Sequence, residues 1–457
     1  MTDIVKVRSE SLANDRSIAR RRWMGLCLIV ALLFVQLWMD IGGFTFRLED
    51  IVTIAMICLW LANSIKSGVF RYFHSRLNKP LLLWSIIIIL GILTSVSHSL
   101  PPIAQKDAII NGFRLVLATC LFFVVYNHPL PAERKIDHLF STVILVSFLT
   151  TLVALLQIAY WDGWLPFSLP ELLTTFKPGA DSERGREIFA LFVGNTGTHT
   201  WSSMLAIQAI TIFIVASSQR KPTYRLAGFF YLLLLVLILV RTSVRTSLLG
   251  LLISLFVIIL IRAVRSPFPV NRVVKPLLLI ITVFLGISLI LFLAPQSYFL
   301  DRISQTIPRI TTEGLLIDRA SNIYGRLEYS ANAFKIFLAF PIAGGGFGSY
   351  QTLSGMLGSI SVVHAHNSYS QTLAEFGLLG GISLLWVIWA IFQSLRNAPP
   401  RRGGSIAMQR IWYLNVAAMI FLAFSAFFVN AFWDPNQIAF RMIAMGVLLH
   451  AQRNSWL

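Results

Sequence analysis

A series of apolar runs constrains the fold more than any other feature of the sequence. Each run is close to the ~20 residues that a helix needs to cross the hydrocarbon core of a bilayer. Charged residues bound the runs, and 56% of the 457 residues are hydrophobic against 13% charged. The pattern predicts an all-α polytopic membrane protein with about twelve transmembrane helices. The predicted spans are residues 24–43, 47–65, 80–97, 107–126, 139–160, 197–217, 226–241, 246–263, 276–294, 376–395, 411–431 and 437–451.

The distribution of basic residues predicts the topology. The net charge of +18 would suit a nucleic-acid partner, but Lys and Arg concentrate in the N-terminal tail and in alternate connections between spans. This is the positive-inside pattern of a membrane protein, so we expect both termini in the cytoplasm and no nucleic-acid partner. No cleavable signal peptide is evident. Cys27, Cys58 and Cys120 all fall inside predicted spans, which argues against a disulfide framework.

The topology divides the chain into four parts. We expect a cytoplasmic tail at 1–23, transmembrane helices 1–9 at 24–294 with an outer loop at 161–196, a large outer loop at 295–375, and transmembrane helices 10–12 with a cytoplasmic tail at 376–457. Within the large loop, the spacing of Leu327, Ala331, Phe334 and Leu338 predicts an amphipathic helix over 326–340. Pro341 ends it, and the glycine run 344–348 predicts a turn.

Several arginines depart from the positive-inside pattern and lie near the outer face. They are Arg47, Arg114, Arg241, Arg245 and Arg441. A single such arginine is explained by snorkelling of its long side chain, but several on one face repel one another unless negative charge compensates them. Carboxylates can supply part of it, and Glu49, Asp50, Asp434 and Glu375 are the candidates. An anionic ligand can supply the rest. Because guanidinium groups match pairs of phosphate oxygens, the predicted ligand is a lipid-linked diphosphate.

The segment 362–381 places polar residues directly before a predicted span. It contains His364, His366, Asn367 and Glu375. An imidazole here can accept a proton at neutral pH, which makes His366 the candidate general base. The alternative is that both histidines are interfacial hydrogen-bonding residues at the start of the helix.

Metal and nucleotide chemistry find little support in the sequence. His364 and His366 form an H-x-H pair, for which His199 or Asp434 are conceivable third ligands. The sequence has neither a D-x-D pair nor a Walker motif. We therefore expect no metal site and no cofactor.

Three motifs resemble those of the bacterial O-antigen ligases and the related O-antigen and exopolysaccharide polymerases. The pattern H-[NSQ]-x9-G-x-x-G is met by His366, Asn367, Gly377 and Gly380. The pattern R-x-x-x-L begins at Arg245. An arginine opening an amphipathic helix before P-x-x-G-x-G is met by Arg326 and by Pro341, Gly344 and Gly346. The stretch 183–201 is also similar to the arginine-containing outer loop of the family, through Arg184 or Arg186.

The resemblance implies an inverting glycosyltransferase of the membrane GT-C-like type. Its donor would be a glycan on undecaprenyl diphosphate, and its active site would face the periplasm from the bacterial inner membrane. His366 would deprotonate the acceptor hydroxyl, while Arg245 and Arg326 would bind the diphosphate. Further candidate substrate-binding residues, from the resemblance and from the charge distribution together, are Arg184, Arg186, Arg47, Arg114, Arg241, Asn367 and His364.

Several functions remain open from the sequence. A ligase would transfer the glycan to lipid A-core, whereas a polymerase would use a lipid-linked glycan as acceptor. The histidine motif favours the ligase. A transporter for an anionic lipid or glycan would place its charges near the midplane of the membrane, whereas these lie at one face. A structural or receptor role would leave the histidine and arginines without a purpose.

Overall fold

A computed structural model describes most of the chain and leaves a set of gaps. The described residues are 23–33, 38–41, 44–66, 75–98, 100–127, 132–161, 164, 198–241, 245–265, 323–357, 364–397, 399, 405–429 and 431–454. Arg184, Arg186 and the predicted span 276–294 lie outside them.

The described chain is built almost entirely of helices. In chain order these are α1 (Trp23–Leu33), α2 (Leu48–Lys66), α3 (Asn78–Ser97), α4 (Pro102–Tyr126), α5 (Ala132–Trp161), α6 (Thr198–Ser217), α7 (Pro222–Arg241), α8 (Arg245–Arg265), α9 (Ile323–Ala339), α10 (Tyr350–Met356), α11 (Ser368–Asn397), α12 (Ile406–Ser425) and α13 (Pro435–Asn454). Two short strands, β1 (Trp38–Ile41) and β2 (Phe44–Arg47), and a 3-10 turn at Ala431–Trp433 complete the elements.

Among these residues, seven helices are long and apolar enough to cross a membrane. They are α3, α4, α5, α7, α8, α11 and α12. Each overlaps a predicted span, so the chain is a helical polytopic membrane protein. The segments Trp23–Leu33 and Trp201–Ser217 are shorter apolar helices. The total of twelve spans stays a prediction.

The first predicted span departs from the structure. A helix was expected over 24–43, but residues 38–41 form a strand that pairs antiparallel with 44–47. Ile41 is paired with Phe44, so the sequence Gly42-Gly43 connects the two strands. Gly-Gly is a favoured sequence for a two-residue hairpin connection. The predicted helix therefore does not continue through residues 38–41.

The amphipathic helix of the outer loop is present as α9, but its buried face differs from the predicted apolar stripe. Phe334 and Leu338 are 54% and 62% exposed. The buried side consists instead of Tyr329, Ala333 and Ile336. The short helix α10 and the segment after residue 363 cover this side, and they contribute Tyr350 and Ala365 to the same small core. The buried face of α9 thus packs against α10 and the segment before α11, and the predicted apolar stripe is not the face that is buried.

Helix packing holds α9 against the transmembrane helices through α11. Helix α11 packs against α3 and α9, and α13 packs against α4 and α12. The predicted span 376–395 lies inside α11, which begins earlier, at Ser368. Glu375 is therefore a helical residue and does not end the outer loop.

Candidate active site

Helix α11 is broken at Gly377, which has φ 61° and ψ −154°. This conformation is essentially restricted to glycine. A Cβ at this position would also lie 2.4 Å from the carbonyl oxygen of Ile342. The first glycine of the histidine motif, Gly377, is thus required both by the backbone angle and by the close approach of another segment.

The segment 341–346 repairs the hydrogen bonds that the break removes. In a regular helix, the amides of Leu378 and Leu379 would donate to the carbonyls of residues 374 and 375. Here they donate to Pro341 and Ile342 at 2.9 and 3.2 Å.

The carbonyls released by the break find partners in the same segment. The Ala374 carbonyl accepts from the Gly345 amide at 2.8 Å, and the Glu375 carbonyl accepts from the Gly346 amide at 3.0 Å. These four hydrogen bonds pair the two amides and the two carbonyls that the break releases, as a membrane protein requires. The P-x-x-G-x-G motif and the glycine of the histidine motif are therefore two halves of one junction.

The glycine segment is also fixed to α3. The Phe347 amide donates to the Gly91 carbonyl at 2.9 Å, and the Ser95 hydroxyl donates to the Phe347 carbonyl. A ring nitrogen of His98 lies 3.1 Å from the Gly345 carbonyl oxygen. These contacts hold residues 345–347 against α3.

His366 lies directly before α11 in an unusual backbone conformation. Its φ is 51°, and it is the one residue other than glycine with a positive φ in the described chain. Such strain persists only where surrounding contacts enforce it, and it is found most often at functional sites. The residue is partly exposed.

Asn367 caps α11. Its side-chain oxygen accepts hydrogen bonds from the amides of Tyr369 and Ser370 at 3.0 and 3.2 Å. The amide and hydroxyl of Ser368 bond to the carbonyls of Ala426 and Val429, at 2.8 and 2.9 Å. The second position of the motif thus fixes the helix start beside His366. Its predicted contact with substrate stays a prediction.

Two buried polar residues join the histidine segment to the glycine segment. The Ala365 amide donates to Gln371 Oε1 at 3.3 Å, and Gln371 Nε2 donates to Glu375 Oε1 at 3.0 Å. The Glu375 carboxylate also accepts hydrogen bonds from the backbone of Gly348 and Tyr350. Glu375 is 1% exposed. Its carboxylate is held by these donors, so it acts here as a structural link.

Tyr329 of α9 contacts His366. The two ring centroids lie 5.8 Å apart, with planes inclined by 35°. The Tyr350 hydroxyl donates to the Tyr329 carbonyl at 2.9 Å and holds this turn of α9 in place. Desolvation raises the pKa of Tyr350, so the hydroxyl remains a donor. Arg326 lies one helical turn before Tyr329. The fold therefore brings the helix position of Arg326 next to His366.

His364 differs from His366 in its surroundings. Desolvation lowers the pKa of His364, and so does the positive charge that His366 can carry, although the side chain keeps solvent contact. The imidazole of His364 is therefore uncharged at neutral pH.

Arg241 and Arg245 lie at one connection. Arg241 is the last residue of α7 and Arg245 the first of α8. Beneath this connection, the Ser247 hydroxyl lies 3.0 Å from that of Ser202, which ties α8 to α6. The first turn of α8 is thus held against α6.

Arg47 and Arg114 are engaged with acidic and polar side chains. Arg114 Nε lies 2.7 Å from Asp50 Oδ2, and Arg47 Nη1 lies 3.9 Å from Glu49 Oε1. Arg47 also donates to Asn436 Oδ1 at 3.2 Å. The carboxylate compensation expected for Glu49 and Asp50 is present. A role of these two arginines in substrate binding stays a prediction.

A family comparison identifies the central part of the chain. Residues 230–385 match the family model for O-antigen ligase. The match supports an O-antigen ligase family membrane protein and agrees with the resemblance carried by the motifs. It covers about a third of the 457 residues. No curated protein matches the chain.

The matched segment contains the residues that the resemblance assigns to chemistry. Arg245, Arg326 and His366 lie within it, as do both halves of the junction at Gly377. Arg47, Arg114, Arg184 and Arg186 lie outside it. Among the residues described, no group of three or more His, Cys, Asp and Glu side chains is arranged to bind a metal ion.

Two residues of the candidate site carried no recognisable signal in the sequence. Tyr329 lies three residues after Arg326, on a helix whose buried face was predicted to be a different one, and Gln371 lies in the segment that was predicted to be the end of the large loop. The i, i+4 spacing of Gln371 and Glu375 could have indicated a side-chain pair on one face of a helix. The contact of Tyr329 with His366 depends on tertiary packing and had no local signal.

Proposed function

We propose that this chain is a periplasm-facing inverting glycosyltransferase of the O-antigen ligase type. The family match supports a ligase- or polymerase-type function in O-antigen processing. The proposal rests on one observation above the others, the contact between Tyr329 and His366. It places a strained, partly exposed histidine beside the helix that carries Arg326.

His366 is the proposed base. Its ring takes the proton from the acceptor hydroxyl while that oxygen forms a bond to the anomeric carbon of the donor glycan. The bond from this carbon to the diphosphate breaks at the same time, and undecaprenyl diphosphate leaves with the electron pair. Attack from the face opposite the leaving group inverts the anomeric centre.

Arg245 and Arg326 are the proposed diphosphate ligands. Fixed guanidinium groups stabilise the negative charge that develops on the leaving diphosphate, and such donors contribute roughly 3 kcal/mol each. The two arginines supply positive charge without a metal ion, and no cofactor enters the proposed step.

Transfer by the purified protein tests the proposal. The full chain is given an undecaprenyl-diphosphate-linked glycan with either lipid A-core or a second lipid-linked glycan, in the presence of EDTA. We expect glycan transfer to lipid A-core, and loss of transfer in His366→Ala by about 10²- to 10⁴-fold. His138, an exposed histidine on α5, provides the control variant His138→Ala, which should transfer normally. Full transfer by His366→Ala would refute the base assignment. Transfer only to the lipid-linked glycan would make the protein a polymerase.

A further inference from the structure

Arg441 on α13 is a buried charge with unused hydrogen-bond donors. Arg441 is 6% exposed, and its Nε and Nη1 atoms have no hydrogen-bond partner in the part of the chain that the structure describes. The remaining nitrogen, Nη2, donates to Gln437 Oε1 at 3.4 Å, which is a weak contact. A guanidinium left in this state within the membrane is unfavourable, so an anionic partner is expected.

The nearest carboxylate does not fill this role. Asp434 acts on Arg441 electrostatically. However, Asp434 Oδ1 accepts hydrogen bonds from the amides of Asn436 and Gln437, and Oδ2 accepts from Gln437 Nε2 at 2.8 Å. Asp434 thereby caps the start of α13, and its oxygens are directed to that end of the helix.

Arg441 lines a cavity among α3, α4, α11, α12 and α13. The enclosed part of the cavity is small, and about 700 Å³ of empty space is reached only when the open mouth is counted. Its walls are mostly apolar, with Trp84, Val387, Met419 and Met445 among them. Arg441 is the only charged residue among the described residues that line it. Part of a hydrocarbon chain entering through the open mouth would contact these walls, whereas a small soluble anion would leave them without contacts.

We infer that this cavity binds a phosphate-bearing lipid, with its phosphate on Arg441 and its hydrocarbon chain among the apolar walls. The paired geometry of the guanidinium donors suits phosphate oxygens, and the apolar walls suit an acyl or prenyl chain. This inference rests on the burial of Arg441 and on the cavity. A polyprenyl occupant would share its carrier lipid with the donor of the proposed function, whereas a membrane phospholipid would not, and neither occupant requires the proposed transfer.

The cavity adjoins the histidine segment. Phe432 lines it, and the Phe432 amide donates to the Ser368 hydroxyl at 3.3 Å. The Phe432 ring also packs edge-on against Tyr369, with centroids 5.2 Å apart. A bound lipid would therefore support the residues that follow His366 and fix the start of α11.

Binding of defined lipids to the delipidated full chain, followed by native mass spectrometry, tests the inference. The probes are phosphatidylglycerol, undecaprenyl phosphate, undecaprenol and inorganic phosphate. We expect one tightly bound phosphate-bearing lipid per chain, and binding at least about tenfold weaker for undecaprenol, which lacks the charge. Inorganic phosphate should not compete, because it gains nothing from the walls.

Two variants probe the charge and the cavity separately. Arg441→Gln should weaken binding of the phosphate-bearing lipids at least about tenfold, and Ala418→Trp should do so by filling the cavity. Arg225→Gln removes an exposed arginine on α7 and should bind as the unmodified protein does. If Arg441→Gln does not fold, Ala418→Trp carries the test.

The same experiment distinguishes a polyprenyl carrier from a membrane phospholipid as the bound lipid. Tighter binding of undecaprenyl phosphate than of phosphatidylglycerol identifies the occupant as a polyprenyl carrier, and equal binding identifies a membrane phospholipid. Unchanged affinity in Arg441→Gln, or displacement by inorganic phosphate, would overturn the inference. Glycan transfer is not measured, so the result is independent of whether the proposed function is correct.

Discussion

The imidazole of His366 lies against the ring of Tyr329, with centroids 5.8 Å apart. This is a contact between α9 and the segment before α11, and it restrains the orientation of the proposed base. Removing the ring in Tyr329→Ala should lower the turnover number for glycan transfer by about 10- to 100-fold, because a displacement of about 1 Å at a reacting group has an effect of this size.

Two further variants separate orientation from folding. Tyr329→Phe keeps the ring and the carbonyl that accepts from Tyr350, so its turnover should stay near that of the unmodified protein. Phe334→Ala removes an aromatic ring that is 54% exposed on the same helix, and it should have no effect. Equal losses in Tyr329→Ala and Phe334→Ala would show that the contact with His366 does not matter.

The junction at Gly377 should be highly sensitive to a single methyl group. Gly377→Ala forces a side chain into a conformation that costs about 1–3 kcal/mol, and the added Cβ would meet the Ile342 carbonyl oxygen at 2.4 Å. We expect a clear fall in the melting temperature of the protein in detergent and loss of glycan transfer. Gly355→Ala is the matched control, because a Cβ there meets nothing within 4 Å. A Gly377→Ala protein as stable as Gly355→Ala would contradict the described junction.

Seven of the predicted spans coincide with long apolar helices in the described part of the chain, because a span is a local property of length and hydrophobicity. The predicted spans 80–97 and 246–263 lie within a few residues of α3 and α8. The first span was overextended, since an apolar run does not distinguish a helix from the hairpin at 38–47. The start of α11 was predicted eight residues too far along the chain, because Ser368 and Gln371 are polar and therefore do not resemble a span, although both are buried.

The candidate site was only partly predictable for a physical reason. The motifs identified His366 and the two glycine patterns, but they did not indicate that the patterns bond to each other. That pairing joins residues such as Gly345 and Ala374 through backbone atoms, which leave no mark in residue type. Likewise, the ion pair of Arg114 with Asp50 spans two helices, so charge counting revealed an excess without locating the partner.

Gln371 should be more important to stability than its residue type suggests. In Gln371→Leu, the Ala365 amide and the Glu375 carboxylate each lose a buried hydrogen-bond partner. Leaving such groups unsatisfied costs about 1–3 kcal/mol, so the melting temperature should fall, together with glycan transfer. Gln351→Leu changes an exposed glutamine on α10 and should leave both unchanged. A Gln371→Leu protein with normal stability would mean that this link does not hold the histidine segment.

The two histidines should differ in how they affect the pH dependence of transfer. The pKa of His364 is lowered, so this ring is already uncharged over the pH range in which activity rises. In His364→Gln the acidic limb of the rate profile should therefore stay in place, with a small change in turnover, because the limb reports protonation of His366. If His364 were the base, its lowered pKa would extend activity to lower pH, and His364→Gln would abolish transfer. The pH dependence of transfer, measured for the unmodified protein and for His364→Gln, decides which histidine is the base.

Arg245 and Arg326 should each affect the chemical step through charge and through geometry. Replacing either by glutamine removes a fixed positive charge from the proposed leaving diphosphate, and we expect the turnover number to fall by about 10²- to 10³-fold. Lysine keeps the charge but not the forked pair of donors, so Arg245→Lys and Arg326→Lys should recover only part of the loss. Arg225→Gln, on the exposed surface of α7, controls for the general loss of positive charge. Full recovery by lysine would mean that the arginines act only as charges, and normal turnover in either glutamine variant would remove that residue from the diphosphate site.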